Sequence, residues 1–106
     1  MPVLHVTTEA QFKSLIEENE IVLVDFYAVW CGPCRQVAPM VDAMSDKPEY
    51  AKVKFVKIDV DELADVAERE EINAMPTFKL FKQGKAVDTV LGANAERVEE
   101  MVKKHL

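Results

Sequence analysis

The only two cysteines of the chain, Cys31 and Cys34, stand three positions apart in "WCGPC", directly after the only tryptophan, Trp30. At a helix start, that spacing puts both side chains on one face within disulfide reach. Three chemistries compete for such a pair. A crosslink for stability is the weakest, because closing so short a loop gives on the order of 2 kcal/mol before any strain. A structural zinc wants four ligands, commonly two such pairs, and the only histidines, His5 and His105, lie near the termini. The third is a redox dithiol. A thiolate at a helix N-terminus faces unpaired amides and the positive end of the dipole, a field worth roughly 0.3–2 kcal/mol. That is enough to bring a thiol toward ambient pH, where its attack on disulfides is most efficient. Cys31, nearer the helix tip, is then expected to attack. Cys34, a turn inward and less exposed, is expected to resolve the mixed disulfide.

The neighbouring residues favour the redox reading. Gly32 has no Cβ and lets a substrate backbone approach. Pro33 suits the first turn of a helix and limits loop freedom, holding both thiols close. Thiols held so close re-form their bond readily, which makes the pair a reductant. Arg35 adds positive charge nearby, although a solvated helix residue explains it as well. Upstream, Asp25 interrupts the apolar run "IVLVDFYA". Burying it ionised is costly, so its pKa is expected to rise. Lying on the strand that feeds the cysteine loop, it can take the proton of Cys34 and return it later. A structural hydrogen bond or salt bridge accounts for it equally well. Lys57, in "VKFVKIDV", is its candidate charge partner; a lysine on such a strand otherwise simply faces solvent.

These residues need a scaffold, and the pattern supplies one. Residues 21–28 are apolar on both faces, with Ile21, Leu23 and Tyr27 opposite Val22, Val24, Phe26 and Ala28. Only a central strand with helices on both sides of its sheet requires that pattern. "VLHV" reads as a first short strand. Thr8 with Gln11 reads as a capping box for a helix whose apolar face is Phe12, Leu15 and Ile16. After the cysteines, Val37, Ala38, Val41 and Met44 keep helical spacing through Pro39, which is expected to bend that helix. A strand over 53–60 precedes a helix in "DELADVAEREE", and residues 77–92 read as a hairpin turning at Gln83-Gly84. A last helix follows Asn94, with acids early and Lys103, Lys104 and His105 late. The order β-α-β-α-β-α-β-β-α predicts an α/β fold: a central mixed sheet with helices on both faces. Sites in such sheets lie beyond the carboxyl ends of the central strands, where "WCGPC" falls.

The 106 residues are expected to form one domain, residues 1–106, and 49% hydrophobic with 30% charged residues speaks against long disorder. A net charge of −6 and the small basic run "VKKHL" leave no footprint for nucleic acid or an anionic membrane. No apolar run approaches the roughly 18 residues of a membrane span, and "MPVLHVTTEA" lacks a leader pattern, which leads to a cytoplasmic expectation.

Together "WCGPC", "VDFYA", "KIDVD", "MPTF", "GKAVDTVLGAN" and the proline-containing "QVAPM" resemble the thioredoxin family, in order and spacing, over nearly the whole chain. The resemblance implies the thioredoxin fold and reduction of protein disulfides by dithiol–disulfide exchange. It implies Cys31 as nucleophile, Cys34 as resolving thiol and Asp25 as buried acid/base. Asp61 would accept a hydrogen bond from the Trp30 indole. Pro76 would be cis and border the dithiol, leaving the Met75 backbone free to pair with an extended substrate segment. Gly92 and Ala93 would complete a shallow apolar groove with Trp30, Gly32, Pro33 and Ala74. No cofactor would be bound; the redox-active Cys31–Cys34 disulfide would receive electrons from NADPH through a flavoprotein thioredoxin reductase. Implied clients are disulfide-containing proteins such as peroxiredoxin and ribonucleotide reductase, met by a monomer.

The sequence departs from the family pattern in few places. Val29 stands where many relatives carry a polar residue, Arg35 replaces the commoner lysine, and Ala74 stands where some animal relatives have a further cysteine. Two other readings use the same fold. A disulfide oxidase or isomerase commonly has histidine between the cysteines, against which Pro33 argues. A redox-independent binding subunit would keep its function when both cysteines become serine.

Overall fold

The two apolar faces of residues 21–28 each find a helical layer. The computed structural model describes residues 3–106. In chain order it contains β1 (Leu4–His5), α1 (Glu9–Glu18), β2 (Ile21–Tyr27), α2 (Gly32–Ser45), a 3-10 turn (Pro48–Tyr50), β3 (Val53–Asp59), α3 (Ala64–Arg69), β4 (Thr77–Lys82), β5 (Lys85–Leu91) and α4 (Ala95–Lys104). The sheet order is β1-β3-β2-β4-β5. Strand β2 lies at its centre, parallel to β3 and antiparallel to β4. Ile21 and Leu23 pack with Val37, Val41 and Met44 of α2 and Val98, Met101 and Val102 of α4. Val22, Val24 and Phe26 pack on the opposite face with Phe12 of α1 and Val66 of α3. With every residue from Ile21 to Phe26 buried, a slip of one position would bury no less apolar surface. The exception is Asp25, and moving it is what a slip would cost.

Local chemistry sets the element ends. The Thr8 hydroxyl accepts from the Gln11 amide at 3.1 Å. The returning arm of the cap reaches one residue further back than expected, with the Thr7 amide donating to Gln11 Oε1 at 2.8 Å. Gln83 and Gly84 both have positive φ, 54° and 82°, the two-residue turn whose twist matches paired strands. Helix α2 continues through Pro39 to Ser45.

The expected third helix is shorter than its pattern. Residues 61–63 form turns instead, because the Asp61 amide donates to Asp59 Oδ1 at 2.9 Å and the Asp59 carbonyl accepts from Glu62 and Leu63. Aspartates that bond local backbone compete with helix in this way. At the other end, the amides of Glu71 and Ile72 donate to the carbonyls of Glu68 and Ala67. This closure puts Glu71 at φ 60°, in the left-handed region where glycine is commoner. The strands are also trimmed: β1 covers Leu4–His5 rather than 3–6, β2 stops before Ala28 and β3 before Val60.

Candidate active site

Strand β2 ends at Tyr27, and its chain runs through Ala28, Val29 and Trp30 into α2, so the cysteines sit at the carboxyl edge of the sheet's centre. Cys31 is the N-cap of α2, and its Sγ accepts the Cys34 amide at 3.2 Å. Capping by a side-chain acceptor satisfies one of the orphan amides of the first turn. On this protein the acceptor is a sulfur, so the same amide and the helix dipole favour its anionic form once the bridge is reduced. Cys31 and Cys34 are joined as a disulfide with Cα atoms 5.3 Å apart. They pack with Ala28 and against Tyr27, Val60 and Met75. Exposure does not separate them as the spacing suggested: Cys31 is 6% and Cys34 4% exposed. The wall of Val60, Met75 and Ala28 covers both.

Around the bridge, the other residues singled out in the sequence converge. The Met75–Pro76 peptide is cis, and the Met75 carbonyl oxygen lies 3.6 Å from Cys31 Sγ. Gly92, at φ 93°, donates its amide to the Pro76 carbonyl at 2.9 Å, a conformation that side chains rarely adopt. The Trp30 indole donates to Asp61 Oδ2 at 2.9 Å while the side chain stays 64% exposed. Pro33, Ala74 and Ala93 are exposed, and Gly32 is half-buried at the start of α2. Beside Met75, a groove of about 330 Å³ runs between Val60, Ala67 and Ile72, rimmed by Glu68 and Glu71.

Beneath the bridge lies the carboxylate. Asp25 is 6% exposed, and its Oδ1 has no hydrogen-bond partner among the described residues. Burial, opposed by Lys57 and reinforced by Asp42, pushes its carboxyl from 3.8 to about 7. Asp25 pairs in register with Lys57 across β2 and β3, yet no ion pair joins them among the described residues; the Lys57 ammonium sits over the Tyr27 ring, 5.7 Å from its centroid. A cavity of about 200 Å³ is walled by Asp25, Cys34, Lys57, Tyr27, Ala38 and Arg35. Sequence reasoning missed Asp42, gave Ala38 only as part of the helix's apolar face, and left the use made of Arg35 open. The spacing of Ala38 and Asp42 from Cys34 was visible, but which way α2 turns over the strand was not.

A disulfide capping a helix, above a buried carboxylate and beside a cis-proline loop, defines a thiol–disulfide oxidoreductase. The thioredoxin family model matches residues 3–104. Thioredoxin 1 of Plasmodium falciparum is 48% identical over 100 residues, 94% of each chain. Thioredoxin-1 of Saccharomyces cerevisiae is 47% identical over 95 residues, 90% of each. A solved structure of Plasmodium falciparum thioredoxin superposes with a TM-score of 0.93 at 47% identity, covering 98% of this chain and all of the other. Mitochondrial thioredoxin 3 of Saccharomyces cerevisiae matches at TM-score 0.90 and 39% identity, over 96% of this chain and 94% of the other. The chain therefore belongs to the thioredoxin family. It is a disulfide reductase whose redox group is the Cys31–Cys34 pair, and a thioredoxin is expected to need no bound cofactor. Its partners are proteins of a thioredoxin system. Among the described residues, no helix is long and apolar enough to cross a membrane, and no group of side chains could hold a metal ion.

Proposed function

We propose that Cys31 is the attacking sulfur, Cys34 the resolving one and Asp25 the proton acceptor between them. The reduced Cys31 thiolate attacks a substrate disulfide, forming a mixed disulfide and releasing the first substrate thiolate. Cys34 gives its proton to Asp25 and attacks Cys31 Sγ; the second substrate thiolate leaves and the Cys31–Cys34 bond forms. Two electrons pass to the substrate. Asp25, held near neutrality by burial, can accept the proton at physiological pH and lose it to water through the cavity it shares with Cys34. Met75 and Pro76 border the extended substrate, and Trp30, Gly32, Pro33, Ala74, Gly92 and Ala93 form the surface it lies on. Asp61 steadies Trp30, and Lys57 moderates the charge of Asp25.

The observation that carries the reading is the Cys31 sulfur as helix cap, 3.2 Å from the Cys34 amide. A thioredoxin reductase would return the pair to the dithiol with electrons from NADPH. Clients would be disulfide proteins such as peroxiredoxin and ribonucleotide reductase. A solved relative is described in work on the thiol-resolving mechanism of yeast mitochondrial 1-Cys peroxiredoxin. We place the protein as a monomeric single domain of the cytoplasm. Replacing Cys34 with serine tests the roles: mass spectrometry should find substrate held on Cys31 in a mixed disulfide, and insulin reduction should stop. Normal turnover by that variant would overturn the assignment.

A further inference from the structure

Arg35 follows Cys34 in the first turn of α2, where the helix dipole disfavours a cation, and no acidic side chain occupies that turn. Its side chain does not simply extend into water. Nη1 donates to the Val29 carbonyl at 2.8 Å, while Nη2 lies 3.9 Å from where a Cβ on Gly32 would stand. One planar group thus spans the start of the cysteine loop and its middle, and also forms part of the wall shared by Asp25 and Cys34. The carbonyl it engages belongs to a residue that is itself 64% exposed, as is the Trp30 that follows. The rest of this loop is held by the Trp30 indole on Asp61 at 2.9 Å and by backbone bonds, Cys31 to Ala28 at 3.1 Å and Arg35 to Cys31 at 3.3 Å.

We infer that Arg35 is a positioning residue of the dithiol: it pins the Val29–Trp30 segment to α2 and holds a fixed cation on the wall of the cavity that Cys34 also lines. The two effects require different parts of the guanidinium. The fork reaches the carbonyl without giving up its charge, which a compact ammonium on a flexible stem does less well. The cation favours the thiolate of the reduced pair, and the tether keeps the cap geometry through which the Cys34 amide reaches Cys31 Sγ. The inference rests on Cys31 being the attacking sulfur.

Three variants of the full chain separate the contributions. Arg35→Met removes both, Arg35→Lys keeps the charge, and Arg35→Gln keeps an N–H donor without charge. The readout is the pH dependence of Cys31 alkylation by iodoacetamide in the reduced protein, with the labelled cysteine identified by mass spectrometry. At pH 7 the methionine variant should label roughly two- to five-fold more slowly, the size expected for an exposed charge. Its profile should move to higher pH, and lysine and glutamine should each restore part of the loss. An unmoved profile in a folded methionine variant would overturn the inference. Complete restoration by lysine would remove the tether from it, and complete restoration by glutamine the charge. Labelling of Cys34 in place of Cys31 would instead refute the role assignment on which it stands.

Discussion

On the α2/α4 side of the sheet, two buried oxygens are provided for in opposite ways. The Tyr50 hydroxyl, on a side chain with no solvent exposure, donates to Glu99 Oε2 at 2.7 Å. Lys47 donates to the same carboxylate oxygen at 2.8 Å. Burial and Glu99 hold the phenol proton well above its ordinary range, while Lys47 first and Tyr50 second hold Glu99 below its own. Each group keeps one protonation state across physiological pH. Asp25 has burial without the partner, and its carboxyl titrates at about 7. A satisfied buried group is a fixed joint between the 3-10 turn and α4. An unsatisfied one is free to exchange a proton, at a cost in stability.

That contrast can be broken at each end. The largest effect should come from Asp25→Asn. In the unfolded chain the carboxyl ionises near 3.8, in the folded chain near 7. The folded state therefore holds the proton across that window, and stability falls as pH rises through it. The gap is worth on the order of 4 kcal/mol. The oxidised variant should accordingly be more stable than wild type at pH 8 by up to roughly that amount in urea unfolding, with the advantage shrinking toward pH 4. Its insulin reduction should be slower near neutrality and lose the inflection near pH 7. Equal stability at both pH values would mean the carboxylate is better solvated than its burial indicates. Tyr50→Phe should do the reverse. It should cost about 1–3 kcal/mol, since it strips one partner from a part-buried carboxylate, and leave the reduction rate unchanged.

The smallest effect lies at the far end of the hairpin, where His105 Nε2 sits 2.9 Å from Asp88 Oδ2. His105 first, then the Thr89 amide, Lys104 and the His105 charge, lower the Asp88 carboxyl. The stability this gives is present above the ordinary carboxylate range and lost as pH falls through the lowered value. With both side chains partly exposed, Asp88→Asn should cost less than about 1 kcal/mol at pH 7, vanishing in acid; a thermal melt at pH 7 and pH 3 measures it.

What could be read from the chain, and what could not, follows the range of the interactions. Strand β2 and its flanking layers were legible because an unbroken apolar run has few ways to be buried. The hairpin turn and the cap at Thr8 were legible because their signals are local. The length of α3 was not, since the Asp59 carboxylate competes with helix only once β3 has fixed where the chain turns. At the site, the cysteines, Asp25, Trp30, Asp61 and Pro76 were nameable from motif and resemblance. Tyr50 and Glu99, 49 positions apart, meet only through the packing of α4. The reach of Arg35 back to Val29 depends on a rotamer that no spacing encodes.

The near-complete burial of both cysteines has one more implication. With so little of either cysteine open to water, encounter becomes a question of the angle of arrival. A bond recessed in a rigid, well-packed client cannot be steered onto so narrow an opening, whereas one carried on a protruding and pliable strand can. Indifference to the client's sequence is thus compatible with strictness about its local suppleness, and the same disulfide should be reduced faster on a flexible segment than on a rigid one.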